Sequence, residues 1–307
     1  MNRLVAIIGP TAAGKSAAAV EVASAFNGEV INADSRLFYR GFDIGTAKPS
    51  TGERRGIPHH LIDMLRPEEG FSLAAFLNVA RKTISDVTER GHLPVLVGGA
   101  GQYVWGLLEG WEVPYVPPDP VLRERLEREA EQEGAASLLA RLQRLDPAAA
   151  ERVDPLNIRR VIRAIERAEA SEGTVGPPRK AAHPPYNNLT IGLDMDRKVL
   201  HARADSRIDE MIQSGWADEV RRLLSSGVPP DARAMYSIGY REMVEHVQGQ
   251  LSIEEVARRA RVATHRLIRH QNNWFKQTDP RIKWIEGGGQ AGERAKSLVK
   301  QWLQQTT

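Results

Sequence analysis

Residues 4–8, Leu-Val-Ala-Ile-Ile, form a continuous apolar run that passes directly into Gly9, Pro10, Thr11, Ala12, Ala13, Gly14, Lys15 and Ser16. A segment that is apolar at every position, rather than at every second one, suits a strand buried on both faces. Residues 16–26 then have helical character. The eight residues between match G-x-x-x-x-G-K-[ST], a phosphate-binding loop whose context is a strand before it and a helix after it. Its glycines let backbone N–H groups curl around phosphate oxygens, and the helix N-terminus adds its positive end. Lys15 is placed to reach the terminal phosphate, and the Ser16 hydroxyl to ligate Mg²⁺. Nucleotides, ATP among them, are one expected ligand class, but the loop recognises linked phosphates and does not by itself specify a triphosphate.

The rest of the chain extends this pattern. A second short strand is expected at residues 29–33, ending at Asp34. Residues 71–90 carry Leu73, Phe76, Leu77, Ala80, Ile84 and Val87 at helical spacing, and Gly91 stops the helix. A third strand, residues 93–97, runs into Gly98, Gly99, Ala100 and Gly101 before a helix to residue 108. Strand, helix, strand, helix, strand predicts a parallel sheet covered by helices. The prolines of residues 113–120 interrupt it. Three charged helices follow at 121–132, 135–145 and 158–170, then a Gly- and Pro-rich stretch at 173–185 and a strand at 188–194. Everything from 199 onward reads as helical. The expected architecture is α/β, a P-loop NTPase-like parallel sheet (residues 1–114 and 186–307) with an inserted all-helical subdomain (115–185). A chain of 307 residues is longer than one hydrophobic core usually serves.

Composition excludes several chemistries. The sequence has no cysteine, so disulfides, Cys-based metal sites and thiol nucleophiles are out. The apolar run at the N-terminus is far shorter than the roughly 20 residues of a membrane span, which predicts a soluble, cytoplasmic protein with no membrane partner; a monomer is expected. The formal net charge is only +3. Residues 1–110 hold 11 basic and 11 acidic side chains, so the excess lies beyond them, and residues 256–276 hold Arg258, Arg259, Arg261, Arg266, Arg269 and Lys276 with two histidines and no acid. A helix of that charge repels itself without an anionic partner, and nucleic acid is one such partner.

Individual residues carry competing readings. ATPases and GTPases usually add a metal-holding aspartate at a buried strand end; the third strand here ends in glycines, which leaves Asp34 as the acid nearest the phosphates at the carboxyl ends of the strands. An aspartate there is also a common helix cap. Arg203 and Arg207 share a helix face and either clamp phosphates or pair with Asp205 and Asp209. Trp274 and Phe275 either stack on a base or pack in the core. His59 and His60 read as loop histidines, with no third ligand to suggest a metal.

Taken together the motifs resemble the tRNA dimethylallyltransferases, also called tRNA isopentenyltransferases. The resemblance rests on the phosphate loop with Asp34-Ser-Arg-Leu-Phe-Tyr39, Gly41-Phe-Asp-Ile-Gly-Thr-Ala-Lys-Pro49, Ile57-Pro-His-His-Leu-Ile-Asp63 and Pro94-Val-Leu-Val-Gly-Gly99. Further along come Arg159-Arg-Val-Ile-Arg-Ala-Ile-Glu166, Arg207-Ile-Asp-Glu-Met211, Ile238-Gly-Tyr-Arg-Glu242 and Gln271-Asn-Asn-Trp-Phe275. It implies transfer of a dimethylallyl group from its diphosphate to N6 of the adenosine 3′ to the anticodon, with Mg²⁺ as cofactor. Asp34 would orient the amine and accept its proton, and Lys15, Arg203 and Arg207 would hold the diphosphate. Ser35, Arg36, Leu37, Arg123, Arg159, Arg160, Val161, Ile162, Arg163, Ser237, Ile238, Gly239, Tyr240, Arg241, Arg269, Gln271, Trp274 and Lys276 would contact the anticodon stem-loop. The chain departs from the family at Ala100, where many members have a threonine near the diphosphate, and at His265 and His270, where members often keep cationic residues. A P-loop small-molecule kinase or ATPase, and an RNA-binding module with a vestigial loop, are the competing classes.

Overall fold

The apolar runs fold as strands of one sheet. The computed structural model describes residues 2–170 and 179–305 of the chain; residues 173–178 of the expected Gly- and Pro-rich boundary lie outside them. The chain divides into two compact units, Met1–Gly110 with Ala182–Thr307, and Trp111–Ala181.

In the first unit, β1 (Asn2–Ile8) leads through the phosphate loop into α1 (Lys15–Ala25), followed by β2 (Gly28–Asn32), the short α2 (Thr51–Arg54) and β3 (His59–His60). Next come α3 (Leu73–Glu89), β4 (Leu93–Gly98) and α4 (Gly101–Leu108). The Ser72 hydroxyl caps α3 by accepting the Ala75 N–H at 3.1 Å. The second unit contributes α5 (Pro120–Glu133), α6 (Ala135–Leu145), α7 (Pro147–Arg152) and α8 (Ile158–Ala170). These helices pack around Leu122, Leu126, Leu138, Leu142, Val161, Ile162 and Ile165. The first unit resumes with β5 (Tyr186–Asp194), α9 (Arg197–Gln213), α10 (Trp216–Ser225), α11 (Tyr240–Val247), α12 (Ile253–Trp274), β6 (Ile282–Glu286) and α13 (Ala291–Gln305).

All strand pairs are parallel, in the order β3-β2-β4-β1-β5-β6. Val5 and Ile7 join Val30, Val95, Val97, Leu189, Ile191 and Leu193 in a cluster with Ala19 and Val22 of α1 and Ala295 and Val299 of α13. The alternate residues Leu4, Ala6 and Ile8 are equally buried, because both faces of the sheet are covered and period-two side chains find a core either way. Among the described residues no helix is long and apolar enough to cross a membrane.

Two expectations are corrected. The region beyond residue 199 is not all helical: residues 282–286 form the edge strand β6, paired to β5 from Thr190↔Ile282 to Asp194↔Glu286. His59 and His60 are not in a loop; they pair with Val30 and Ile31 as an edge strand too short to give a periodic signal. His60 Nε2 lies 2.5 Å from Glu29 Oε2, so this histidine serves a buried carboxylate.

Candidate active site

The phosphate loop is shaped by what lies beneath it. Gly9 leaves β1 at φ +138°, and a Cβ there would stand 2.7 Å from the Leu193 carbonyl of β5, so both the backbone angle and the space demand glycine. Gly14 caps α1 without a side-chain hydrogen bond, and the first N–H groups of α1 have no intrahelical acceptor. Thr11, Ala12, Gly14, Lys15 and Ser16 line one end of a pocket of about 940 Å³. Gly9, Pro10 and Ala13 are buried and form its support instead. From below, Gly288 N–H donates to the Ala13 carbonyl at 3.1 Å. The glycines after β6 thus brace the loop, a role that their sequence did not announce.

Lys15 Nζ donates to the Pro10 carbonyl at 2.7 Å. Burial pulls this ammonium down to about 8, with the Asp34 charge opposing the shift and the Arg207 charge adding to it.

Asp34 stands just past β2 and lines the same pocket. Its position is set by Asn32, itself 1% exposed: the Asn32 amide donates to the Asp34 and Leu61 carbonyls at 2.9 Å each, and its oxygen accepts the Asp34 N–H at 2.9 Å. Oδ1 of Asp34 accepts the Arg36 N–H at 3.1 Å and caps a short 3₁₀ turn, Ser35–Phe38. Asp34 is thus the cap of that turn and at the same time a residue of the pocket wall. No other described residue donates to its side chain, so one oxygen remains for a ligand.

The pairing posed for Arg203 and Arg207 with Asp205 and Asp209 is not the one that forms. Asp205 pairs with His265 at 2.8 Å and Asp209 pairs with Arg261, both on the α12 side. Arg203 and Arg207 line the pocket with no carboxylate at ion-pair distance among the described residues. Burial and the neighbouring Arg203 charge lower the Arg207 pKa.

The far wall is the segment 43–48, and its anchor was not foreseen. Glu219, 3% exposed, accepts the N–H groups of Asp43 at 2.9 Å and Ile44 at 2.7 Å, and the Tyr240 hydroxyl at 2.7 Å. Lys48 donates to the Tyr39 carbonyl at 2.8 Å and pairs with Asp43 at 2.6 Å and with Asp63. Glu219 is hidden in the sequence by its distance from Asp43 and Ile44, whereas the partners of Lys48 lie nearby in the chain.

Comparison with known proteins fits this geometry. A family model described as IPP transferase matches residues 37–278. The chain belongs to this family. A tRNA dimethylallyltransferase of Roseiflexus sp. (strain RS-1) is 44% identical, over 99% of both chains. One from Thermomicrobium roseum is 46% identical over 92% of this chain and 86% of its own length. A full-length tRNA isopentenylpyrophosphate transferase structure from Bacillus halodurans is 35% identical, covering 100% of this chain and 98% of that one with a TM-score of 0.71.

The residues expected at the RNA fall into three groups. Ser35, Arg36, Leu37, Ser237 and Ile238 lie at or next to the pocket: Arg36, Leu37 and Ile238 line it, and Ser35 and Ser237 flank them. Arg159, Arg160, Arg241, Arg269, Trp274 and Lys276 are exposed, with Arg241 over the Tyr236 ring at 5.1 Å. Others are held inside. Val161 and Ile162 belong to the core of the second unit, because on an amphipathic helix they lie between the arginines and face inward. Gly239 is buried against Trp216, and Tyr240 is fully buried on Glu219. Gln271 is 5% exposed and turns toward the phosphate loop, while Phe275 packs in the core at 3%. Arg123 and Arg163 both grip Glu166, at 2.8 and 2.5 Å. Burial works against the charged form of that glutamate, but the two arginines hold its pKa below the usual carboxylate value.

The acid-free stretch is likewise less bare than its sequence. Arg258 and Arg259 bind Glu255 one turn earlier, at 2.6 and 2.8 Å, and Arg259 also reaches Glu245. Arg261 is taken by Asp209. Self-repulsion is relieved by carboxylates from outside the stretch, and only Arg266, Arg269 and Lys276 keep no acidic partner among the described residues. Ala100 caps α4 with no side-chain hydrogen bond and does not line the pocket, whereas Thr11 does.

Proposed function

We propose that the chain transfers the dimethylallyl group of dimethylallyl diphosphate to N6 of the adenosine 3′-adjacent to the anticodon of tRNA, releasing diphosphate. The observation that carries this reading is the meeting, in one pocket, of a phosphate loop, Arg203 and Arg207 with no ion-pair partner among the described residues, and Asp34, whose second carboxylate oxygen accepts no hydrogen bond from them. The N–H groups at the start of α1, Lys15, Arg203 and Arg207 hold the diphosphate and stabilise the charge that grows on it as the carbon–oxygen bond breaks. Asp34 accepts a hydrogen bond from the amine of a flipped-out adenine, orients it toward the carbon, and takes its proton as the carbon–nitrogen bond forms.

The residues present fit Mg²⁺. This ion ordinarily keeps several waters and takes one or two protein oxygens plus substrate phosphates, and Ser16 offers such an oxygen at the pocket wall. No group of three or more acidic or histidine ligands occurs among the described residues, so the site supplies a phosphate-dependent position and not a closed cage. When bound, Mg²⁺ neutralises the charge of the leaving diphosphate. The exposed Arg159, Arg160, Arg266, Arg269 and Lys276 form the phosphate contacts to the anticodon stem-loop, and the protein acts as a cytoplasmic monomer.

A kinase or ATPase is disfavoured because β4 ends in Gly98, where such enzymes carry the metal-holding acid. Labelled dimethylallyl diphosphate incubated with unmodified tRNA separates the readings: label in the RNA adenosine is expected, and phosphoryl transfer from ATP with unlabelled RNA would overturn the proposal.

A further inference from the structure

Helix α12 turns two chemically distinct faces outward and inward. Arg266 and Arg269 are exposed, whereas Gln271 is one of few polar side chains buried to 5%. Its Oε1 accepts the Thr11 N–H at 2.8 Å across 260 residues of sequence. Its Nε2 lies over Gly99 so closely that a Cβ on that residue would stand 2.1 Å away, so the glycine after β4 is what makes room for the amide. One turn on, Trp274 rests on Gly101, with its carbonyl accepting the Trp105 indole N–H at 3.2 Å.

The last turn of α12 is thereby seated on both the phosphate loop and the glycine turn after β4. Thr11 N–H is the donor at the entrance of the loop, and fixing its direction fixes the plane of the peptide that starts the curl. A side chain from a distant helix, not the loop itself, supplies that acceptor. We infer that Gln271 is a positioning residue for the diphosphate, acting through the Thr11 N–H, and not a contact to RNA. This deepens the proposed function and rests on the phosphate loop holding a diphosphate.

The test uses the full chain with Gln271→Met, which keeps side-chain volume while removing the acceptor, and Gln271→Ala as a second variant. Magnesium pyrophosphate binding is read by calorimetry, tRNA binding by filter retention, and KM for each substrate by prenyl transfer. Both variants are expected to bind pyrophosphate about tenfold more weakly, as loss of one hydrogen bond at a buried donor implies. KM for dimethylallyl diphosphate should rise with little change in kcat, and tRNA affinity should stay within about twofold of the parent. Weakened tRNA binding with unchanged pyrophosphate affinity would make Gln271 an RNA contact and overturn the inference. Equal losses for both ligands, with a lowered melting temperature, would make it a merely structural residue and overturn it as well. Pyrophosphate binding is read without any transfer step, so a parent protein that binds pyrophosphate but fails to prenylate tRNA would refute the proposed function alone.

Discussion

Arg203 and Arg207 on α9 point into the pocket with no carboxylate at ion-pair distance, whereas Arg258, Arg259 and Arg261 on the first half of α12 are each fastened to an acid. In sequence the first pair has the nearer acids, Asp205 and Asp209, and the second group has none within its own stretch. The fold reverses this. Asp205 and Asp209 turn to α12, where they engage His265 and Arg261, and in doing so they leave the α9 arginines free for an anion. Arg258 and Arg259 are held by Glu255 one turn away, but for Arg203, Arg207 and Arg261 the charge left unpaired is set by which helix face each acid occupies and not by the acids nearest in the chain.

The largest expected effect concerns Asp34, which lines the same pocket as these arginines. Asp34→Ala should lower kcat for tRNA prenylation by about 10² to 10⁴ while leaving tRNA affinity nearly unchanged; transfer at the parent rate would remove Asp34 from the chemistry. The next lies in pH. Lys15, lowered to about 8 by burial, is charged below that value. Bound diphosphate favours the charged form, so affinity should fall as pH rises through 8, approaching about tenfold per pH unit if the neutral amine contributes nothing. A flat profile between pH 7 and 9.5, measured by pyrophosphate titration, would contradict this.

A smaller effect separates the two halves of α12. Arg266→Ala or Arg269→Ala should each reduce the salt slope of tRNA binding by about one, and Arg258→Ala, already neutralised by Glu255, should leave it nearly unaltered. Equal slopes for all three would mean that the paired arginines release their carboxylates for RNA. The smallest change is expected from Ala100→Thr. Ala100 does not line the pocket and Thr11 does, so prenylation should hold or rise slightly, and a large loss would show that the turn has been rebuilt around alanine.

What could be read in the chain beforehand follows the range of the interactions. The phosphate loop, β1, β2, β4 and β5 announce themselves through contiguous residues, because a strand buried on both faces and a loop that wraps phosphate are local patterns. Asp34 was legible as the acid at a strand end, and the resemblance to a known family gave it a role. Glu219 was not, since its partners Asp43 and Ile44 lie 176 and 175 residues away. Gln271 shows the same limit: that it accepts the Thr11 N–H appears only once α12 reaches the phosphate loop. Val161 and Ile162 show a different limit. They sit inside an arginine-rich motif, yet helical geometry turns them into the core of the second unit. The edge strand β3 is hidden by its length of two residues, whereas β6, as long as β2, is hidden by its edge position, which leaves the charged Lys283 and Glu286 exposed within it.

The contrast between the free and the fastened arginines is tested most directly by titrating magnesium pyrophosphate into the parent protein, Arg207→Ala and Arg261→Ala at pH 7. The account predicts that Arg207→Ala binds at least about tenfold more weakly, as loss of a charged hydrogen-bond partner implies, and that Arg261→Ala binds within about twofold of the parent. Unchanged affinity in Arg207→Ala, or an equal loss in both variants, would contradict it.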